Sequence, residues 1–284
     1  MLLFLGALCA AAAQETAPFG SAGAHCGSRT PPPRTVLVTG AARGIGAAIA
    51  AEFAANGDRV VLACRSDLAA AEAVRASLPP SAAGEHLCLQ ADLAAPGAPA
   101  ALVDAAIEAC GGRLDVLIVN HGVYVETPFG ESSAAEFGES FERLLRINLA
   151  APAELSFAFA TAAKRSGHGG AVVLVSSRGA TRGEPLAPAY GASKAGLNSL
   201  TGSLAQAYAP HGIRVAAVAP GFIATDMAKE VLASDRGDGI RAQSPFGRVG
   251  EPAEVAAAVH FLASEAGAWS AGAVLDCNGA SYLH

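Results

Sequence analysis

The sequence predicts an α/β domain in which one parallel β-sheet is covered by helices on both faces. Short apolar runs rich in valine and leucine recur along the chain, and longer alanine-rich stretches of helical length separate them. The runs are continuously apolar rather than alternating, which is typical of strands buried on both faces of a parallel sheet. The chain has 284 residues, 52% of them hydrophobic, so we expect one large domain with a substantial core.

Seven runs have the length and composition of strands. They are TVLVT (35–39), RVVLAC (59–64), HLCLQ (86–90), DVLIV (115–119), AVVLVS (171–176), RVAAVA (214–219) and AVLD (273–276). Each interval between two runs is long enough for a crossover helix, and no repeat or interdomain linker interrupts the pattern. We therefore expect a doubly wound parallel sheet of about seven strands.

The composition excludes several classes of function. Only 15% of the residues are charged and the formal net charge is −6, so neither a basic nucleic-acid surface nor a polybasic membrane patch is expected. The six cysteines form no CxxC pair and no zinc-type spacing, and we expect no metal site and no redox couple. An enzyme that acts on a small molecule fits this composition better than a nucleic-acid-binding protein.

Residues 1–34 differ from the rest of the chain. The stretch MLLFLGALCAAAA has the length of a signal-peptide apolar region and is too short to span a bilayer. A segment rich in Ser, Ala, Gly and Pro follows it, as in a targeting leader that is cleaved or disordered. Such a leader indicates an organelle, with a plastid favoured, or the secretory pathway; a non-functional extension on a cytoplasmic protein is the alternative. We expect the catalytic domain at residues 35–284.

A glycine-rich segment directly follows the first predicted strand. TGAARGIG places Gly40, Gly44 and Gly46 at the start of a predicted helix that ends near Gly57. Glycines at such a turn let the backbone approach a pyrophosphate, whose charge is stabilised by free N–H groups at the helix start. Strand, turn and helix occur in the order that a dinucleotide site requires. The sequence therefore predicts a Rossmann-type nucleotide-binding domain.

The TGxxxGxG spacing of this segment resembles the short-chain dehydrogenase/reductase family, and the chain from about Thr35 onward fits that resemblance. Three later motifs agree with it: ADL after the third strand, VNHG after the fourth where the family usually has NNAG, and APGFIATDM at 219–227. The resemblance implies cofactor contacts from Gly40, Arg43, Gly44, Ile45, Gly46, Asp92, Leu93, Asn120, Gly122, Tyr190, Lys194, Ile223 and Thr225. His121 departs from the family motif, and we interpret it as scaffold rather than as a catalytic group.

The residues after the second strand decide which nicotinamide cofactor binds. An acidic side chain there hydrogen-bonds the ribose 2′-hydroxyl, whereas an arginine accommodates a 2′-phosphate. Cys64 stands where the acid is expected, Arg65 follows it, and Arg43 lies in the glycine turn. Two arginines able to pair with one phosphate favour NADP(H) over NAD(H). Asp67 leaves the alternative open, because a shifted loop could bring its carboxylate to the ribose.

Tyr190 and Lys194 stand four residues apart in AYGASKAG and therefore share one face of a predicted helix. A free phenol has a pKa of about 10, and a nearby ammonium lowers that pKa toward the working range of a general acid. Ser177 lies thirteen residues before Tyr190 at the end of a predicted strand, and Asn148 lies in RINLAAP within a helical pattern. The four residues match the catalytic Asn, Ser, Tyr and Lys of the family.

The resemblance implies a mechanism in which NADPH delivers hydride to a carbonyl carbon while Tyr190 protonates the oxygen and Ser177 hydrogen-bonds it. Lys194 would lower the pKa of Tyr190 and hold the nicotinamide ribose. Asn148 would position a water molecule that connects Lys194 to solvent.

Within the family the chain is most similar to the 3-oxoacyl-[acyl-carrier-protein] reductases, which implies a β-ketoacyl thioester substrate in fatty acid biosynthesis. Lys164 and Arg165 are the basic residues expected to receive an acidic carrier near the cleft, while His168 and His211 stand where a carrier-dependent reductase would have arginine. The alternatives are a dehydrogenase of a secondary alcohol, sugar or steroid, and a nucleotide-binding regulator without catalysis. Relatives are usually dimers or tetramers, so we expect a homo-oligomer.

Overall fold

Seven parallel strands form one sheet in a computed structural model of the chain, which describes residues 32–283. The strands are β1 (Thr35–Thr39), β2 (Arg59–Cys64), β3 (Leu87–Gln90), β4 (Val116–Val119), β5 (Gly170–Val175), β6 (Ile213–Pro220) and β7 (Val274–Cys277). Their order across the sheet is β3-β2-β1-β4-β5-β6-β7, and all six pairings are parallel. The predicted α/β class, the number of strands and the bounds, to within one residue at either end, are confirmed.

Helices connect the strands and cover the sheet. They are α1 (Gly44–Ala55), α2 (Leu68–Ser77), α3 (Ala98–Ala109), α4 (Ala134–Leu145), α5 (Ala151–Ser166), α6 (Gly179–Arg182), α7 (Pro188–Tyr208), α8 (Asp226–Ala233), α9 (Gly237–Arg241) and α10 (Pro252–Ala263). Successive residues of a strand point to opposite faces. Val36 and Val38 of β1 accordingly pack with α1 and α10, whereas Leu37 between them packs with α3, α5 and α7. This double burial explains why the strands are continuously apolar in sequence.

A π-helical turn, Arg146–Ala150, joins α4 to α5. The N–H of Ala151 bonds the carbonyl of Arg146, five residues earlier, instead of the carbonyl four residues earlier. A single π turn within a helix is uncommon and often occurs at functional sites. Here it carries Asn148, whose side chain is completely buried.

The predicted leader at residues 1–34 lies almost wholly outside the described residues, as do Cys9 and Cys26, and its targeting role stays a prediction. Cys64, Cys88, Cys110 and Cys277 are free thiols. Between residues 32 and 283, no helix combines the length and the apolar character needed to cross a bilayer.

Candidate active site

The glycine turn between β1 and α1 has the backbone geometry of a phosphate cradle. Gly40 and Gly44 have φ values of +65° and +55°, which residues with a Cβ rarely adopt. A Cβ on Gly46 would lie 2.2 Å from the Gly40 carbonyl oxygen and 2.6 Å from Nδ2 of Asn120. The turn therefore requires glycine at these three positions. The first N–H groups of a helix have no intrahelical partner, so those at the start of α1 can bind an anion.

Asn120, at the end of β4, fastens this turn to the sheet. Its Nδ2 donates to the carbonyls of Thr39 and Gly40 at 3.0 Å and 3.1 Å. On the other side of the turn, a Cβ on Gly44 would come within 3.2 Å of Cγ2 of Thr225. Ile223 is buried and forms an isolated parallel bridge with Gly250. The structure thus brings the segment after β6 against the glycine turn, as the cofactor assignment requires.

Arg43 and Arg65 are exposed and follow neighbouring strands, because β1 and β2 are paired from Thr35–Arg59 to Thr39–Ala63. In the described part of the chain, neither guanidinium takes part in an ion pair. Asp67 instead caps α2, where its carboxylate accepts from the N–H of Ala70 at 3.0 Å. That capping bond engages one oxygen of the carboxylate which left NAD(H) open as an alternative.

Four further predicted contacts lie at the same edge of the sheet. Asp92 is exposed after β3 and accepts from the N–H of Ala94, while Leu93 is buried beside it. Ile45 is half-buried against the core at the start of α1. A Cβ on Gly122 would lie 3.4 Å from Oδ1 of Asn148 and 3.5 Å from Nζ of Lys194, so this glycine lies directly against both side chains.

The four predicted catalytic residues meet at the carboxyl ends of β4 and β5. Tyr190 is hydrogen-bonded through its side chain to Ser177, and the ammonium of Lys194 lies 5.9 Å from the centroid of the Tyr190 ring. Nζ of Lys194 donates to the Val175 carbonyl at 2.8 Å, which anchors the amine beneath the ring. The shared helix face that the sequence predicted for Tyr190 and Lys194 is therefore present.

The ionisation of this pair differs from the expectation. Burial raises the pKa of Tyr190, while its hydrogen bond with Ser177 lowers that pKa and the carboxylate of Glu184 raises it further. Burial also lowers the pKa of Lys194 to about 8. The expectation that Lys194 lowers the pKa of Tyr190 is wrong for this arrangement, because desolvation of the phenol outweighs an ammonium that is bonded to a backbone carbonyl.

Asn148 is held from two sides. Its Oδ1 accepts from the N–H of Val123 and its Nδ2 donates to the Val123 carbonyl, both at 2.9 Å. Nδ2 also donates to Oγ of Ser193 at 3.2 Å, and that hydroxyl donates to the Tyr190 carbonyl. The side-chain amide thus connects the loop after β4 with the helix that carries Tyr190.

Comparison with known proteins agrees with this arrangement. The family described as Enoyl-(Acyl carrier protein) reductase matches residues 40–279. An L-rhamnose 1-dehydrogenase (NAD(P)(+)) from Azotobacter vinelandii is 38% identical over 254 residues, which cover 88% of this chain and 97% of that protein. The 3-oxoacyl-[acyl-carrier-protein] reductase FabG of Escherichia coli is 36% identical over 250 residues, which cover 88% and 98% of the two chains. The chain belongs to the short-chain dehydrogenase/reductase family.

Solved structures of this short-chain dehydrogenase/reductase family support the same conclusion. An NADP-bound crystal structure of a candidate 2-deoxy-D-gluconate 3-dehydrogenase from Agrobacterium tumefaciens has a TM-score of 0.77 and 32% identity, and covers 88% of this chain and 97% of its own. A candidate NAD(P)-dependent gluconate 5-dehydrogenase from Beutenbergia cavernae, also with NADP, gives the same values. The prediction of an oxidoreductase that acts on CH–OH or C=O groups is confirmed.

The mouth of the short-chain dehydrogenase/reductase cleft contains polar residues that the sequence analysis missed. Tyr124 packs edge-on to Tyr190 with ring centroids 5.1 Å apart, and its hydroxyl donates to Glu126 at 3.3 Å. Arg236 lies 3.7 Å from the same carboxylate. Glu184 is close enough to Tyr190 to raise its pKa. Loops after the carboxyl ends of β4 and β5 carry function in such folds, and this rule could have singled out Tyr124, Glu126 and Glu184.

Arg178, directly after Ser177, is a second residue that the sequence analysis did not single out. It is 3% exposed, and its guanidinium donates to Oγ of Ser281 at 2.6 Å and to Oε1 of Gln243 at 2.5 Å. It also lies over the ring of Phe222, 5.1 Å from the centroid. Arg178 thereby ties the strand end that carries Ser177 to the C-terminal segment, beside a cavity of about 280 Å³.

The expectation that Lys164 and Arg165 lie near the cleft is wrong. Both are exposed in the last turn of α5, which leads into the amino end of β5. Ser177 follows the carboxyl end of that strand, so the two basic residues lie at the opposite edge of the sheet. His168 and His211 share that edge, because they precede the starts of β5 and β6.

Proposed function

We propose that this protein is an NADP(H)-dependent oxidoreductase that reduces a carbonyl group to a secondary alcohol. One observation carries the proposal: the phenol of Tyr190 is hydrogen-bonded to Ser177 and lies above the buried ammonium of Lys194. A phenol held between a hydroxyl group and a cation is a positioned general acid for a carbonyl oxygen. The same groups serve the reverse oxidation when the alcohol is supplied.

The glycine turn fits the dinucleotide, because Gly40 and Gly44 adopt φ values that favour glycine and Gly46 packs against the Gly40 carbonyl with no room for a Cβ. Exposed Arg43 and Arg65, together with the engagement of Asp67 in a helix cap, support a cofactor with a 2′-phosphate. The NADP found in both structural neighbours supports the same choice. When bound, NADPH supplies the hydride.

The chain's own residues hold and move the proton. Because burial raises the pKa of Tyr190, the phenol stays protonated at neutral pH and is ready to donate. The hydroxyl of Ser177 shares the substrate oxygen and stabilises the negative charge that develops on it. Lys194, with a pKa lowered to about 8, is still mainly a cation at neutral pH, and its ammonium would hold the nicotinamide ribose beneath the phenol.

As the specific substrate we propose a 3-oxoacyl thioester, reduced to the 3-hydroxyacyl form on an acyl carrier protein. The similarity to FabG over nearly the whole of both chains supports this choice. The segment from Thr225 to Pro252 adds only the short helices α8 and α9, without a long lid. The position of Lys164 and Arg165 at the far edge of the sheet removes one argument for carrier docking at this cleft.

A hydroxyl-rich substrate, such as a sugar or sugar acid, is the second candidate. The mouth of the cleft carries the carboxylates of Glu126 and Glu184 and the guanidinium of Arg236, and such groups hydrogen-bond hydroxyl groups well. The L-rhamnose 1-dehydrogenase relative is as similar to this chain as FabG is. An acyl chain would meet these polar groups without hydrogen-bonding them.

The test is a screen of the full-length protein for NADPH oxidation with a 3-oxoacyl thioester, simple ketones and keto-sugars, and for NADP reduction with the corresponding alcohols. We expect Tyr190→Phe to lower kcat by about 10²- to 10⁴-fold on every active substrate, since the ring is kept and only the proton donor is lost. Binding of NADPH to that variant, followed by its fluorescence, is expected to change little.

The outcomes separate the candidates. Turnover of the thioester alone supports the acyl substrate, and turnover of keto-sugars alone supports the second candidate. If Tyr190→Phe turned over any substrate at the wild-type rate, the assignment of the proton donor would be wrong. NADPH binding without turnover of any compound would favour a regulator that retains only the fold.

We also propose that the protein is a homo-oligomer. Large apolar side chains are exposed on the surface: Phe157 on α5 is 67% exposed and Trp269 beside β7 is fully exposed. Exposed aromatic residues of this size are enriched in subunit interfaces. Light scattering of the purified protein gives the state directly, and a monomeric mass at micromolar concentration would contradict the proposal.

A further inference from the structure

His121 is a half-buried histidine in the site, where the family motif carries alanine. One ring nitrogen, Nδ1, lies 2.9 Å from the hydroxyl oxygen of Thr39, and the other, Nε2, lies 3.1 Å from the carbonyl oxygen of Ile147. Thr39 ends β1, and Ile147 belongs to the π-helical turn that carries Asn148. The imidazole therefore bridges the strand that leads into the glycine turn and the turn that holds a catalytic residue.

The partners of His121 fix its tautomer. A carbonyl oxygen can only accept, so Nε2 of His121 must carry the proton that it donates to Ile147. Nδ1 then accepts from the hydroxyl of Thr39, whose oxygen in turn accepts from the backbone N–H groups of Asn120 and His121 at 3.0 Å and 3.3 Å. Every polar atom of this chain of bonds has a partner.

The carbonyl of Ile147 needs a donor from outside its helix. The N–H four residues later, that of Ala151, is bonded to the carbonyl of Arg146. The residue five positions later, which a π turn would use, is Pro152, which has no N–H. A backbone carbonyl that is shielded from water and lacks a donor is costly, and His121 supplies the donor that the helix lacks.

We propose that His121 is a positioning residue that sets the π-helical turn, and with it the side chain of Asn148, at the correct distance from Tyr190 and Lys194. Asn148 adjoins Ile147, and its amide makes both bonds with Val123, two residues after His121. The loop after β4 thus grips the turn at two adjacent points, the Ile147 carbonyl and the Asn148 amide. Loss of the first contact is expected to loosen the second.

The charge state of the ring agrees with this role. Burial, together with the positive charge of Lys194, lowers the pKa of His121 to about 4. The ring is therefore neutral at physiological pH, which keeps Nδ1 free to accept from Thr39. A neutral ring with both nitrogens engaged holds the structure and does not exchange protons with the substrate.

The first test compares His121→Ala with His121→Gln. Glutamine can place an amide N–H near the position of Nε2, so it keeps a donor for Ile147 that alanine lacks. We expect His121→Ala to lower kcat about tenfold with little change in KM, and His121→Gln to recover most of that loss. Equal activity of wild type and His121→Ala, or equal loss in both variants, would overturn the proposal.

His86 offers a matched control. It is buried, its Nδ1 accepts from the N–H of Val60 at 3.0 Å, and its Nε2 donates to the Pro79 carbonyl at 2.8 Å. The two histidines make the same pair of bonds, but His86 lies beside β3, away from the catalytic residues. We expect His86→Ala to lower the midpoint of urea unfolding while kcat stays at the wild-type value.

The second test restores the missing donor. Pro152→Ala gives residue 152 an N–H, which is the natural π-helical partner of the Ile147 carbonyl. In that background, His121→Ala is expected to cost no more than about twofold in kcat, so the double-mutant cycle shows strong coupling. Additive effects of the two changes would mean that His121 does not act through the Ile147 carbonyl.

The proposal rests on the proposed oxidoreductase function, in which the family resemblance gives Asn148 a catalytic role, and a spectroscopic test separates the two. The chain has five asparagines, so selective ¹⁵N labelling resolves their side-chain amides, and Asn148→Ala assigns one signal. We expect His121→Ala to shift that amide signal, His121→Gln to restore it, and His86→Ala to leave it unchanged. An unmoved signal would overturn the inference even for an active enzyme, whereas a moved signal without turnover of any substrate would overturn only the proposed function.

Discussion

The glycine turn and the mouth of the cleft lie at the same edge of the sheet, yet they are built differently. The turn is made of backbone: Gly40, Gly44 and Gly46 leave no room for side chains, and Asn120 holds the loop through two carbonyls. The mouth is made of long polar side chains that come from separate loops, among them Tyr124, Glu184 and Arg236. A backbone site tolerates almost no substitution, whereas a side-chain site can be rebuilt residue by residue.

This difference explains what the relatives share. Proteins described as a rhamnose dehydrogenase and an oxoacyl reductase match nearly the whole of this chain with similar identity. We expect a cofactor turn made of backbone to be retained among such relatives, and a mouth made of side chains to vary with the substrate. Specificity in this chain is therefore to be sought in the loops after β4, β5 and β6.

Gly46→Ala is expected to have the largest effect, because it breaks the backbone site. The added Cβ would lie 2.2 Å from the Gly40 carbonyl, closer than any real contact, so the turn must move. Overpacking of this kind typically costs about 1–3 kcal/mol, and NADPH binding should be lost with it. Urea unfolding and NADPH fluorescence measure the two effects.

Gly138→Ala is the control for that variant. Gly138 lies in α4, and a Cβ there would meet nothing within 4 Å. Alanine at this position is expected to stabilise the protein by about 0.5–1 kcal/mol and to leave NADPH binding unchanged. Tight NADPH binding by Gly46→Ala would show that the turn does not cradle the cofactor.

The same contrast decides how much could be predicted from the sequence. Strands buried on both faces are read from their apolar runs, and the glycine turn is read from residues that backbone geometry demands. Tyr190 and Lys194 follow from helical spacing. The mouth could not be predicted, because the meeting of Glu126 with Arg236 depends on how two loops, far apart in sequence, pack. The π-helical turn also arises from three-dimensional packing that residue patterns do not encode, whereas the capping role of Asp67 could have been predicted from its place directly before a helical pattern.

Arg43 and Arg65 form the side-chain part of the cofactor site. Their loss should therefore weaken the binding of NADPH but not that of NADH. We expect Arg65→Ala to raise the Kd of NADPH about ten- to hundredfold, as the loss of a charge-assisted hydrogen bond does. NADH lacks the 2′-phosphate, and its Kd should stay nearly unchanged. Calorimetric titration of both nucleotides with Arg43→Ala, Arg65→Ala and the double variant checks this, and equal weakening of NADH binding would contradict it.

Lys194 joins the two regions, and its burial has a cost in stability. The unfolded chain keeps this proton up to about pH 10.5, whereas the folded chain releases it near 8. The unfolded state thus binds more protons between these values, and the free energy of unfolding rises with pH across that interval, by about 3 kcal/mol at most. Lys194→Met should remove this rise in urea unfolding followed between about pH 7 and pH 10.

At neutral pH, Lys194→Met should also be more stable than wild type, although inactive. The gain is expected to be about 1–2 kcal/mol, since the variant no longer buries a charge but loses the bond to the Val175 carbonyl. If the free energy of unfolding changed with pH in the same way in wild type and variant, the pKa of Lys194 would not be lowered in the folded protein. Thiols with shifted pKa values, such as Cys88, whose pKa burial raises to about 12, are present in both proteins. Their contribution to the pH dependence of unfolding therefore cancels when wild type and variant are compared.

Glu184→Gln is expected to have the smallest effect, and it tests the influence of the mouth on the chemistry. Tyr190 must be protonated to reduce a carbonyl, so kcat falls as pH rises through its pKa. The Glu184 carboxylate raises that pKa, and its neutralisation should move the alkaline limb of the kcat profile to lower pH by less than about one unit. Glu126→Gln is the matched control, because the carboxylate of Glu126 acts on Tyr124 and Arg236 rather than on Tyr190. If the alkaline limb moved equally in both variants, or to higher pH in Glu184→Gln, the Glu184 carboxylate would not set the pKa of Tyr190. The mouth of the cleft would then lie beside the proton donor without influencing its ionisation.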